Sequence, residues 1–164
     1  LQDNPTKLRE GFFKTLNITV IVIIPLTGGI FMLAPEFTRI LLGEKWMPMV
    51  VPLKILVIAG MIRALVTTGG ALFQGKGFPN IDYKMNFIRL SILAISIYPL
   101  TLIFGISGTA LAVALGNFGC IPIWLTETVK ITKASFKEYF KVILPPFLGT
   151  VGMCSLLLLI KQAL

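Results

Sequence analysis

The chain has 164 residues, 55% of them hydrophobic and 13% charged, and carries a net charge of +8. A mean hydropathy of +0.89 excludes an ordinary water-soluble domain of this size. The sequence has no histidine, which excludes a histidine proton relay, a Ser-His or Cys-His nucleophile and a histidine-ligated metal.

No cofactor or metal is expected. The basic residues flank long apolar runs and form no basic stripe with interleaved aromatics, so the expected partners are membrane lipids with anionic head groups, not nucleic acid. Cys120 and Cys154 both sit inside apolar runs, where they read as small packing residues. The chain opens at Leu1 on polar and charged residues, unlike a secretory signal peptide, and is expected to be a piece of a longer protein.

A membrane-spanning helix needs about 20 mostly apolar residues. The fold class expected is therefore an all-α integral membrane protein with about five transmembrane helices. Residues 1–15 read as a cytoplasmic linker and 16–164 as the bundle. The first span runs from about Leu16 to Ala34, with Pro25 at its middle and Gly28-Gly29 beyond it. The loop that follows carries Arg39, Lys45 and Trp46.

The second span, from about Met49 to Phe73, contains two basic residues at depths where charge is costly. Lys54 is near enough to the outer end to snorkel. Arg63 is near the centre. Nine residues separate them, which on a straight helix points them to opposite faces. On the Arg63 face the helical period gathers Ala59, Gly60, Thr67, Gly70 and Gln74, a small and polar stripe that should face protein or a cavity. Two readings of Arg63 stay open: it pairs with backbone carbonyls among closely packed helices, or it offers a fixed charge and a bidentate fork to an anionic substrate in a hydrated passage. The spans expected here contain no carboxylate to neutralise it.

The third span is expected from about Phe87 to Phe104, with Arg89 in its first turn and Pro99 further on. Arg89 reads as an inner-interface anchor or as a second cavity cation. The fourth span, from about Ile106 to Leu125, holds Asn117 at its middle, where an interhelical hydrogen bond is the simpler role and a ligand contact the other. The pairs Gly105/Gly108, Gly116/Gly119 and Gly149/Gly152 read as close helix contacts. Lys130 to Lys141 reads as an interfacial amphipathic helix or a solvated basic loop. The fifth span runs from about Val142 to Ile160, opened by Pro145 and Pro146. Candidate cavity residues are Arg63, Thr67, Gln74, Arg89 and Asn117.

Ten basic residues lie near helix ends on one side (Lys7, Arg9, Lys14, Lys76, Lys84, Arg89, Lys130, Lys133, Lys137, Lys141) and three on the other (Arg39, Lys45, Lys161). The positive-inside rule then places the amino-terminal end in the cytoplasm; the expected location is the cell's inner, cytoplasmic membrane.

Pro25, the segment Leu33 to Trp46 (LAPEFTRILLGEKW), Gly75 to Gly77 (GKG), Arg89, and Phe104 to Ala112 (FGISGTALA) come in an order that resembles polysaccharide exporters of the multidrug/oligosaccharidyl-lipid/polysaccharide, MATE-like superfamily. Leu1 to Phe12 is similar to the inner linker before a late helix pair of these proteins, so the resemblance covers nearly the whole chain and points to the carboxy-terminal part of the O-antigen and capsule flippase branch. It implies two helix bundles rocking about a central cationic cavity. The substrate it implies is an undecaprenyl-pyrophosphate-linked saccharide unit, and the remaining helices of the parent protein are implied partners. The function so implied is flipping of lipid-linked saccharides, with no enzyme chemistry. The alternatives are a multidrug or cation antiporter of the same superfamily, which should show a membrane-embedded acid, a polytopic glycosyltransferase, which should show paired acids or a metal site in a loop, and a purely structural helix-packing subunit.

Overall fold

In a lipid interior every backbone N–H and C=O must be satisfied within the chain, and long helices achieve this residue by residue. The computed structural model describes residues 5–163 and contains five such helices: α1 (Pro5–Phe37), α2 (Val50–Gly75), α3 (Pro79–Phe104), α4 (Ile106–Thr132) and α5 (Phe136–Ala163). All five are long and apolar enough to cross a membrane. Between α1 and α2 the chain turns through a π-helical segment, Thr38–Leu42, and a 3₁₀ segment, Glu44–Met49. Residues 1–4 of the expected linker, including Asp3, lie outside the described residues, as does the side chain of Lys161.

Apart from Met49, which ends the 3₁₀ segment, each expected span lies within one helix, but the helices run further at the end bearing most of the basic residues, here called the basic end. Residues 5–15 are the first turns of α1, not a separate linker. That helix has 33 residues, so at 1.5 Å per residue it is about 50 Å long against a hydrocarbon core of about 30 Å. Helix α3 starts eight residues before the expected Phe87, with Pro79 in its first turn and Asp82 close behind. Proline has no N–H to leave unpaired there, and an acidic side chain complements the helix dipole.

The segment Lys130 to Lys141 is neither an interfacial helix nor a long loop. Helix α4 continues to Thr132, and Lys133 adopts a left-handed φ of 51° as its C-cap. The Ala134 N–H donates to the Thr132 hydroxyl at 3.3 Å. Helix α5 then opens with the Glu half of a capping box, the Ser135 N–H donating to Glu138 Oε1 at 3.3 Å, while the Glu138 N–H donates to the Ser135 backbone carbonyl at 2.9 Å.

The helices pack side by side in the order α5, α1, α2, α4, α3, so that α4 stands between two helices that scarcely touch each other. On α1, Phe12, Leu16, Val20 and Ile24 recur every four residues and are all buried. They share one cluster with Leu72 and Phe73 of α2, Met85 of α3, Cys120 and Trp124 of α4 and Tyr139 of α5. Around Tyr139 the rings of Phe13, Trp124 and Phe12 stand 5.2, 6.0 and 6.2 Å away. The Arg9 guanidinium is paired with Glu138, tying α1 to α5 at the basic end. Pro25, Pro99, Pro122, Pro145 and Pro146 all lie inside helices and end none of them.

Lipid tails are as apolar as leucine, so helices hold together here by close contact and interhelical hydrogen bonds, not by expulsion of water. The glycines of α4 supply that contact. A Cβ at Gly116 would stand 3.1 Å from the Arg89 carbonyl oxygen of α3. One at Gly108 would meet the Leu100 carbonyl, and one at Gly119 the Ile92 Cδ1. Gly28 of α1 is similarly covered by Thr150 and Cys154 of α5. Gly149 and Gly152, expected to mark such a contact, have nothing within 4 Å among the described residues, because α5 presents its Thr150 and Cys154 edge to α1 instead.

Candidate functional site: a cationic cavity between three helices

Three helical faces meet where α2, α3 and α4 cross. The faces are Arg63, Val66 and Thr67 on α2; Asp82, Met85, Asn86 and Arg89 on α3; Asn117 and Cys120 on α4. Within each set the spacing is three or four residues, one side of a helix. Together they line a cavity of about 140 Å³. Pockets that enclose a drug-sized ligand run to roughly 300–1,000 Å³, so this cavity is too small to enclose one.

Backbone contacts pin several of these side chains. Asn117 Nδ2 donates to the Ala59 carbonyl at 2.9 Å, bridging α4 to α2. Cys120 Sγ lies 3.3 Å from the Met85 carbonyl, bridging α4 to α3. Thr67 Oγ1 donates back to the carbonyls of Ala64 and Arg63 at 2.9 and 3.0 Å, leaving its lone pairs free to accept. Asn86 Nδ2 donates to the Asp82 carbonyl at 3.0 Å.

The arginines are placed by the register of an antiparallel pair. Gly70 of α2 is level with Asp82 of α3, since a Cβ at Gly70 would be 3.8 Å from both carboxylate oxygens. Seven residues from each, toward mid-membrane, lie Arg63 and Arg89, which puts them at one level about 10 Å from that of Asp82. The cavity lining thus carries two guanidinium charges against one carboxylate, and among the described residues none of the three is in a salt bridge. Arg63 and Thr67 are exposed, on the open side of the cavity.

Of the five residues singled out from the sequence, Arg63, Thr67, Arg89 and Asn117 share this cavity. Gln74 does not; it is exposed at the last turn of α2, seven residues beyond Thr67. Arg89 is ten residues into α3, not in its first turn, because the helix begins at Pro79. For the same reason Asp82, expected between spans, is a helical residue that lines the same cavity as both arginines. Proline followed three residues later by an acid is a helix-start signal that marks it. Lys54, expected on the opposite face from Arg63, stacks on the Phe31 ring of α1 at 5.0 Å from its centroid. Across Val66 lies a second, wholly apolar groove lined by Ile62, Trp124, Tyr139 and Ile143, among others.

Residues 1–51 match the family described as polysaccharide biosynthesis protein. The chain is 26% identical, over 96% of its length and 33% of the relative's, to an uncharacterized membrane protein in the cps region of Klebsiella pneumoniae. It is 28% identical to the lipopolysaccharide biosynthesis protein WzxC of Escherichia coli (strain K12), over 90% of this chain and 30% of that one. It is 29% identical to the teichuronic acid biosynthesis protein TuaB of Bacillus subtilis (strain 168), over 89% and 30%. The chain therefore spans about a third of the length of the curated relatives it matches. No solved structure matches it.

Proposed function

We propose, from its similarity to polysaccharide biosynthesis proteins, that this chain forms one wall of a carrier that moves lipid-linked saccharide units across the cytoplasmic membrane. Arg63 and Arg89, level with each other across one cavity and unpaired within it, are the observation that carries the reading. A guanidinium grips phosphate oxygens with two parallel hydrogen bonds, and it does so more strongly where water is scarce. The pyrophosphate of an undecaprenyl-linked substrate meets that chemistry, and its transfer between leaflets needs no covalent step.

The basic end, with Lys7, Arg9, Lys76, Lys84, Lys130 and Lys133, is the cytoplasmic end in this reading. Carriage of organic cations fits the cavity less well, since two positive charges against one negative favour an anion.

Arg63→Ala in the full-length parent tests the proposal. Export of saccharide from whole cells is expected to fall at least tenfold at unchanged membrane abundance, with Arg63→Lys intermediate because it keeps the charge and loses the fork. Export at the full rate by Arg63→Ala removes Arg63 from the mechanism.

A further inference from the structure

Nothing in the phosphate reading uses the carboxylate on the cavity wall. An acid kept only to offset two arginines would be bonded to one of them, yet Asp82 is in no ion pair among the described residues. It sits a full level away, about 10 Å toward the basic end. Opposite it is Gly70, whose missing side chain leaves the α2 wall flat beside the carboxylate oxygens. One turn along α3 is Asn86, whose Nδ2 donates to the Asp82 backbone carbonyl and whose side chain lines the same cavity as the Asp82 carboxylate.

A carboxylate only accepts hydrogen bonds, whereas an amide both accepts and donates. That pair repels a phosphate and complements neighbouring hydroxyls, each of which must donate one hydrogen bond and can accept others. We propose that Asp82 and Asn86 form a saccharide-hydroxyl subsite that reads the first sugar beside the phosphate held at Arg63 and Arg89. The inference rests on the carrier reading above and adds a direction to it: the sugar points toward the basic end and the phosphate toward mid-membrane.

Binding to the purified full-length parent in lipid nanodiscs tests this with two probes, undecaprenyl pyrophosphate and the same lipid carrying a single galactose. Wild type is expected to prefer the galactosyl lipid about tenfold, the scale of a hydrogen bond to a charged acceptor. Asp82→Asn should lower that preference several-fold, since a neutral amide accepts more weakly than a carboxylate, while binding the sugar-free lipid as well as wild type or better, because a repelling charge is gone. Asn86→Ala, which leaves all charges in place, should reduce the preference in the same sense and serves if Asp82→Asn does not fold. Equal weakening or equal strengthening of both lipids by Asp82→Asn overturns the subsite, leaving a packing role or a counter-charge. An unchanged preference in both variants overturns it as well. Arg63→Ala separates the two proposals: if it leaves binding of both lipids intact, the phosphate reading fails, whatever Asp82 does.

Discussion

The α3–α4 contact allows a graded test at three glycines of one helix. Replacing glycine by alanine in a helix favours the helix itself by up to about 1 kcal/mol, so any loss of stability must come from what the new methyl meets. At Gly119 it meets the Ile92 Cδ1, the far end of a side chain that can rotate away. The two effects offset, and Gly119→Ala is expected to lie within about 0.5 kcal/mol of wild type. At Gly116 the methyl would stand 3.1 Å from the Arg89 carbonyl oxygen and 3.2 Å from its Cγ, so α3 must give by tenths of an ångström, at about 1 kcal/mol. At Gly108 it would run into the Leu100 carbonyl, with the Thr101 nitrogen 2.9 Å away, and backbone on both sides cannot yield. Overpacking of that kind costs about 2–3 kcal/mol or splays the hairpin. Melting temperatures of the three variants, measured by loss of the monodisperse gel-filtration peak after heating in detergent, should fall in the order Gly119→Ala, Gly116→Ala, Gly108→Ala. Three equal values, or Gly119→Ala as the least stable, would refute the contact geometry.

Two more outcomes follow from single contacts. Asn117→Ala should cost only about 0.6–1 kcal/mol in the same assay, because the Ala59 carbonyl it leaves still accepts a bond within α2. A loss several times larger would show that Asn117 holds more than this one bond. Glu138, ahead of the apolar run of α5, is held below the ordinary carboxylate range by the Arg9 guanidinium and then by the Ser135 N–H. A folded-state value below the unfolded one gives stabilisation that is complete above the unfolded value and is lost as pH falls through the folded value. Both side chains are more than a third exposed, so the effect is small and weakens with salt. Glu138→Gln should flatten the acid limb of a melting-temperature profile at low ionic strength, and parallel profiles for the two proteins would refute the pairing.

The number and order of helices were legible because twenty apolar residues between charges leave a chain little else to do in lipid. Their ends were not, since hydropathy stops where the hydrocarbon stops while a helix continues into water through polar turns. That one limitation accounts for the misplacing of Arg89 in a first turn and of Asp82 between spans. Pro79 with Asp82, and Ser135 with Glu138, were the capping signals that mark both starts. Arg63 and Asn117 could be singled out because charge and amide are rare in spans, and Thr67 because the helical period puts it on the face of Arg63. Gln74 was added by the same helical period, but the wall ends a turn before it. Whether Gly149 and Gly152 met a partner was not legible at all, since a pair of glycines does not say which edge of a helix is turned inward.

The position of α4 between α2 and α3 bears on how the bundle is made. A ribosome delivers α2 and α3 first, each with an arginine deep in its length and little contact with the other. Until α4 arrives, neither Gly116 beneath Arg89 nor Asn117 against Ala59 is there to draw the two walls together. The cavity has all three of its walls only once the 27 residues of α4 are in place.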